Sequence, residues 1–278
     1  MADEKNPITA PFPINMLVPH LSGYLPPPGS FDPKAGWEHS YSVHTLASVR
    51  GTGGPAGSLH IRRENPSAGD FMLHVKYEKP VPSMPPGCLN RVSAEMRCRS
   101  DALSTPTEWS FGFEAVTPEG KPVEYTRLRK SAVAKGGEIE MTDGRYPRRI
   151  AAPTAYTVRW ALWDAVQRLP RAAFAPLRFA LFDHGDELKP NQALSFRGTV
   201  EVILGERPVQ QQRKENLEKG TITKTSWGRE GGRKVRLHGY DLVGDGILPW
   251  VYWVDDQGRL IFAIGGIEGY ILTGEKTL

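Results

Sequence analysis

The chain has few of the features that announce a chemistry. Its 278 residues contain two cysteines, Cys88 and Cys98, so a disulfide-dense scaffold is excluded. A bridge between these two needs the intervening segment to double back; the other reading is two small buried hydrophobes. No apolar run approaches the roughly 18 residues of a membrane-spanning helix. There is no G-x-S-x-G elbow for serine catalysis. The Gly-rich stretch Gly51 to Gly57 lacks the Lys-Ser/Thr of a phosphate loop and the strand–helix context of a dinucleotide fingerprint, so it reads as a hairpin loop. No internal repeat recurs at a fixed period, and no cofactor is implied.

Charge of one sign is also scarce. Lys plus Arg exceed Asp plus Glu by 35 − 31 = 4. The basic residues are scattered over Arg62-Arg63, Arg127 to Lys130, Arg148-Arg149, Lys234 and Arg236, with acids near each cluster. A nucleic-acid face needs a basic stripe with stacking aromatics, so no nucleic-acid partner is expected. The N-terminus carries no charged-then-apolar signal segment. Two readings stay open: a cytoplasmic protein if the sequence is complete as given, or a periplasmic or extracellular one if a signal was removed before Ala2. Oligomeric state is not legible.

Glycine and proline, by contrast, are plentiful at 29 and 24 residues, which favours many short elements joined by turns. Residues 1–36 hold eight prolines, which block helix and break strand. Their apolar residues, among them Ile8, Phe12, Leu17 and Leu21, predict a leader laid against the body as a strap or edge strand. From Trp37 the period becomes two. Predicted strands cover the region from His39 to Met141, including Phe71–Tyr77, Val92–Cys98, Glu108–Val116 and Val123–Arg129. Further strands follow at Leu177–Phe182, Ala193–Leu204, Gly220–Trp227, Lys234–Leu242, Trp250–Val254, Arg259–Ile264 and Ile267–Leu272. Between residues 205 and 219 the polar sequence predicts a solvated loop or surface helix.

One stretch breaks this period. Val158, Leu162, Ala165, Val166 and Leu169 recur at three and four, with Thr154 as N-cap and Pro170 as stop, predicting one main helix over 154–169. The fold class is therefore mostly β: a large antiparallel curved sheet, half-barrel or sandwich, over residues 37–278. A boundary near residue 150 or one continuous sheet accounts equally for strands on both sides of the helix.

Four groups of residues could carry function. His60 and His74 fall on the polar parity of neighbouring strands, with Arg62 and His44 near, forming either a site or a solvated face. Asp183, His184, Asp186 and Glu187 gather three carboxylates and an imidazole at a strand end; they are a metal candidate, or ordinary turn chemistry around Gly185. Arg236, His238 and Tyr240 share one strand parity. A His–Tyr pair could pass protons in a polysaccharide lyase, or simply pack at a sheet edge. The seven tryptophans include Trp160 and Trp163, three apart on the helix, and Trp250 and Trp253, on opposite faces of a strand. They suit a stacking platform for sugar rings or the wall of an apolar pocket; core packing on both faces is the alternative.

The closing segment LPWVYWVDDQGRLIFAI reads as a hairpin turning on Asp255 to Gly258, where Gly258 suits a left-handed conformation. With the mid-chain helix ending at Leu169-Pro170, residues 155–272 resemble the exported bacterial clamp proteins of the lipoprotein-localisation-factor type and related half-barrels. That resemblance implies a curved sheet closing over a helix, and an apolar ligand such as an acyl chain bound without catalysis. The sequence thus points to a non-catalytic binding or structural protein, exported, with an apolar or glycan ligand in a sheet concavity. Its rival is a carbohydrate-active enzyme using His238, Tyr240, Arg236 and the His60/His74 face.

Overall fold

A computed structural model describes residues 14–46, 56–67, 69–81, 83–217 and 220–278, with the backbone alone described at 66–67, 208 and 210–229. The Gly-rich loop expected from residue 51 lies outside the described residues as far as Pro55.

Period-two patterning forms the strands, because each strand buries one face. In β4 (Leu89–Arg99), Val92, Ala94, Met96 and Cys98 are buried and the residues between them exposed. In β1 (Trp37–Thr45), Trp37, His39, Tyr41 and Val43 turn inward. The remaining strands are β2 (Gly57–Ser67), β3 (Asp70–Pro80), β5 (Pro106–Val116), β6 (Leu128–Lys135), β7 (Glu138–Thr142), β8 (Pro147–Ala151), β9 (Tyr156–Val158), β10 (Leu177–Asp183), β11 (Glu187–Leu217), β12 (Gly220–Val243), β13 (Trp250–Asp255), β14 (Leu260–Gly265) and β15 (Glu268–Thr277).

All fifteen belong to one sheet in the order β8-β7-β6-β5-β4-β3-β2-β1-β15-β14-β13-β12-β11-β10-β9. Every neighbouring pair is antiparallel except β9 with β10. The two edge strands are consecutive in sequence, joined by residues 152–155, yet they do not pair. The sheet winds into a barrel left open at that seam, and side chains bridge it. Trp109 donates its indole N–H to the Gly185 carbonyl at 2.6 Å, Tyr156 its hydroxyl to Pro106, and Lys130 pairs with Asp186 at 2.6 Å. A single sheet runs through both halves of the chain.

The helical period lies where expected: Val158, Leu162, Ala165, Val166 and Leu169 are all buried. The helix itself is shorter than 154–169. Tyr156–Val158 is buried on every residue and pairs with β10, so it is strand, and helical turns occupy only 159–168. Thr154 is accordingly not the cap; Val158 holds that place without a side-chain bond. Leu169 is extended, as its position before Pro170 demands. This helical segment plugs the barrel's interior. Trp163 at its centre has no solvent exposure and meets Tyr41, Tyr252 and Tyr270 edge-on.

Two other strand expectations change, and the cysteine alternatives resolve. The strand predicted over Val123–Arg129 begins only at Leu128, after a turn through Thr126. Residues 205–217 are strand rather than a loop or helix. The β11–β12 ladder runs from Ala193↔Val243 out to Leu217↔Gly220, whereas β10 pairs only as far as Leu194 and β13 only from Leu237. The outer part is a two-stranded arm: Thr221, Ile222, Thr223 and Thr225 favour extended backbone, and that outweighs the polarity of the opposing leg. Cys88 immediately precedes β4 and Cys98 lies near its far end, about 30 Å away at about 3.3 Å per residue, and both are free, buried thiols, the second of the two readings. Burial pushes the Cys98 thiol well up.

The leader's described part, 14–36, starts as a 3-10 turn, Ile14–His20, rather than fully extended, because no proline falls between Ile14 and Val18. It then runs along the outer face. Leu17 lies over Gly269, where a Cβ would meet it at 2.4 Å, and Leu25 lies over Gly205. Tyr24 covers Phe262, the cross-strand partner of Trp253. Arg259, itself paired with Asp255 and Glu275, donates to the carbonyls of Pro27 and Gly29.

His20 of this strap packs on His44, ring centroids 4.3 Å apart and planes tilted by 36°. Burial, and secondarily the His20 charge, hold His44 down to about 4, and burial also lowers His39. The unfolded chain then binds more protons than the folded one between about pH 6.5 and pH 4. Stability therefore falls as pH drops through that window. Urea denaturation at pH 7 and pH 4.5 should show the loss, reduced in His44→Gln.

Candidate functional site

The plug fills the barrel toward the Asp255–Gly258 turn, where the Gly258 φ of +90° brings its backbone against the Gln167 carbonyl. At the other end, above Arg159 and Trp160, the barrel stays open. A cavity of about 500 Å3 occupies that mouth, within the range of small-molecule sites, about 300–1,000 Å3. Its floor holds Trp160 and Trp250, both half-buried. Val92, Phe111 and Phe113 from β4 and β5 form one side, and the loop Gly246-Ile247-Leu248 forms the rim. Leu248, 64% exposed, stands at the entrance.

Two ion-paired clusters interrupt this apolar lining. Arg159 holds Asp183 through two bonds of 2.8 and 2.7 Å. Burial works against the Asp183 charge, but this pairing keeps its carboxyl below the usual range. Separately, Glu268 accepts from the Tyr77 hydroxyl, the Tyr270 hydroxyl and Lys79. Burial, then the Glu268 charge, raise both phenols, so they remain protonated donors.

The sequence candidates distribute unevenly around this geometry. Trp160 and Trp250 line the cavity; Trp163 lies beneath it in the core. Trp253 points to the outer face, buried between Gly239, whose missing Cβ makes room for its ring, and the Arg197 guanidinium. Asp183 and His184 reach the cavity, but Asp186 turns to Lys130 and Glu187 to Lys189. Among the described residues no group of three or more His, Cys, Asp or Glu is arranged to hold a metal ion. The turn serves the seam.

His238 and Tyr240 lie away from the mouth. His238 hydrogen-bonds Thr199 at 3.0 Å and Asp256 at 2.8 Å. Tyr240 donates to the Pro170 carbonyl, and burial pushes its phenol up to about 12, which removes it as a base near neutral pH. Arg236 is exposed beside Glu201 on the arm's base. His60 and His74 share the outer face but not a rung: His60 is opposite Lys76 and His74 opposite Arg62. These five residues do not converge on one cleft. Sequence reasoning missed Arg159, Tyr77 and Glu268, which come from three distant segments; nothing short of the strand order places them together.

The fold and site together define an open β-barrel with a plugged interior and an aromatic cavity at one mouth. No family model matches the chain, and no curated relative matches it. Among solved structures it is similar to a beta-barrel-like protein of a domain of unknown function, DUF1849, from Brucella abortus. That likeness has 10% identity and a TM-score of 0.51, and covers 88% of this chain and 98% of the other. It concerns the fold alone.

Proposed function

We propose that this is a non-catalytic binding protein, exported to the periplasm or beyond, that holds a small ligand in the mouth cavity. The observation carrying this reading is the cavity of about 500 Å3, with half-buried Trp160 and Trp250 as its floor and Leu248 exposed at its rim. A folded protein leaves such aromatic surface accessible where a ligand covers it. The carboxylates at the cavity, Asp183 and Glu268, are held in ion pairs, and His238, Tyr240 and Arg236 lie elsewhere. The likeness of residues 155–272 to the localisation-factor type points the same way.

An uncharged apolar dye tests the site whatever the natural ligand is. Nile red should bind one to one with saturable fluorescence. Val92→Trp, which fills the cavity from its β4 wall, should weaken that binding at least about tenfold. Dye binding unchanged in Val92→Trp, with the fold intact by circular dichroism, would contradict the proposal.

A further inference from the structure

We propose that the mouth cavity is a site for an uncharged saccharide, with one sugar ring laid on the indole face of Trp160. This rests on the reading that the cavity holds a ligand, and names its class.

Trp160 is the ring available for stacking. Its nearest aromatic neighbours are Tyr77 at 6.1 Å and 41° and Trp163 at 5.9 Å and 38°, so no ring lies parallel to it. Trp250 is less free, because the Arg159 guanidinium sits 5.2 Å from its ring. A flat apolar indole matches the C–H face of a pyranose, which is apolar while its rim is hydroxylated.

The two ionic clusters decide between a sugar and a lipid. Asp183, Arg159 and Glu268 line the cavity with side chains 10, 14 and 19% exposed, and the buried Arg159 Nη1 has no hydrogen-bond partner among the described residues. An acyl chain seated there would leave carboxylate lone pairs and N–H groups unmatched, at a cost in affinity. Sugar hydroxyls donate and accept at once and can replace the water on both clusters. The exposed Asn90 amide at the rim adds one further donor and acceptor.

Charge selects within the sugars. The two carboxylates are balanced by one guanidinium and one ammonium, so the clusters sum to zero. A uronate or a fatty acid would bring a third carboxylate that finds no unpaired cation in these two clusters to offset its desolvation. A neutral ring carries no such cost.

The test titrates the full chain with maltotriose, cellotriose, mannotriose and tri-N-acetylchitotriose, with trigalacturonate and monooleoylglycerol as the contrasting probes, by tryptophan fluorescence and native mass spectrometry. At least one neutral trisaccharide should bind one to one, at least about tenfold more tightly than trigalacturonate. Trp160→Leu, which keeps an apolar side chain, should weaken that sugar at least about tenfold, and Trp160→Phe by less. Fluorotryptophan-labelled protein gives the answer without a substitution: the Trp160 resonance should move on adding the sugar. Monooleoylglycerol binding with no neutral trisaccharide bound overturns the saccharide inference and leaves the cavity reading standing. Sugar binding unaltered in Trp160→Leu, or a fixed Trp160 resonance, overturns it as well. No probe binding, Nile red included, overturns both.

Discussion

Replacing Asp164 by alanine should lower the stability of the protein by about 3–5 kcal/mol, the cost of removing one member of a buried ionic cluster. The Asp164 side chain has no solvent exposure. It accepts from Arg63 at 2.9 Å, from Arg168 at 2.8 Å and from the Ser104 hydroxyl at 2.6 Å. Its partners are themselves 3% and 9% exposed, so both guanidiniums would be left in the interior with no carboxylate between them. Arg63 also stands 4.0 Å over the Phe71 ring and donates to the Pro33 carbonyl. Through it, Asp164 ties the plug to β2 and to the last turn of the leader. The combination Arg63→Met, Asp164→Leu, Arg168→Met should recover most of the loss, because it removes charges and desolvation together. Urea denaturation of the three proteins checks both statements. A loss below about 1 kcal/mol for Asp164→Ala would mean that water reaches the cluster, as at a surface pair.

Trp163→Ala should cost a similar amount, about 3–5 kcal/mol, because a fully buried tryptophan leaves a void that the barrel cannot collapse into. Five aromatic rings, Tyr41, Trp160, Trp250, Tyr252 and Tyr270, pack around it within 6.4 Å. Four of them are fixed on the paired strands β1, β13 and β15 and Trp160 on the plug itself, so none moves freely inward. The void would open directly below Trp160 and Trp250, the cavity floor. The variant should therefore accept a larger apolar probe than the wild type while melting at a lower temperature. A thermal melt and a comparison of dye sizes read the two effects independently.

The strands were legible because their faces are unlike. In β4 the buried Val92, Ala94, Met96 and Cys98 alternate strictly with exposed residues, and such a period has one physical reading. The closing hairpin was legible for a local reason too: Gly258 sits at φ +90°, a conformation its sequence position demanded. Of the arm, the leg over 220–227 read as strand, but residues 205–217 did not, because their polar sequence carries no hydrophobic period, the main signal for a strand. Tyr156–Val158 reads as part of the helix because three buried residues fit either period, and only the pairing with β10 decides. The site was the least legible part. Trp160 and Trp250 stood out by type, but Arg159, Asp183, Tyr77 and Glu268 meet through a sheet whose order runs from β1 straight to β15. Pairing between the first and last strands is long-range and leaves no trace in local pattern. Trp253 shows the converse: its residue type suggested a ligand, while the strap and Gly239 give it a packing role on the outer face.

Carbene labelling with adamantane diazirine, a small uncharged apolar probe, reads most directly where a ligand sits. Labelled peptides from the mouth, containing Phe111 and Phe113, Trp160, or Ile247 to Trp250, are the predicted result, with labelling suppressed by Val92→Trp. Labelling confined to the outer face or to the β11–β12 arm, with the mouth peptides unmodified, would contradict a ligand site at the mouth.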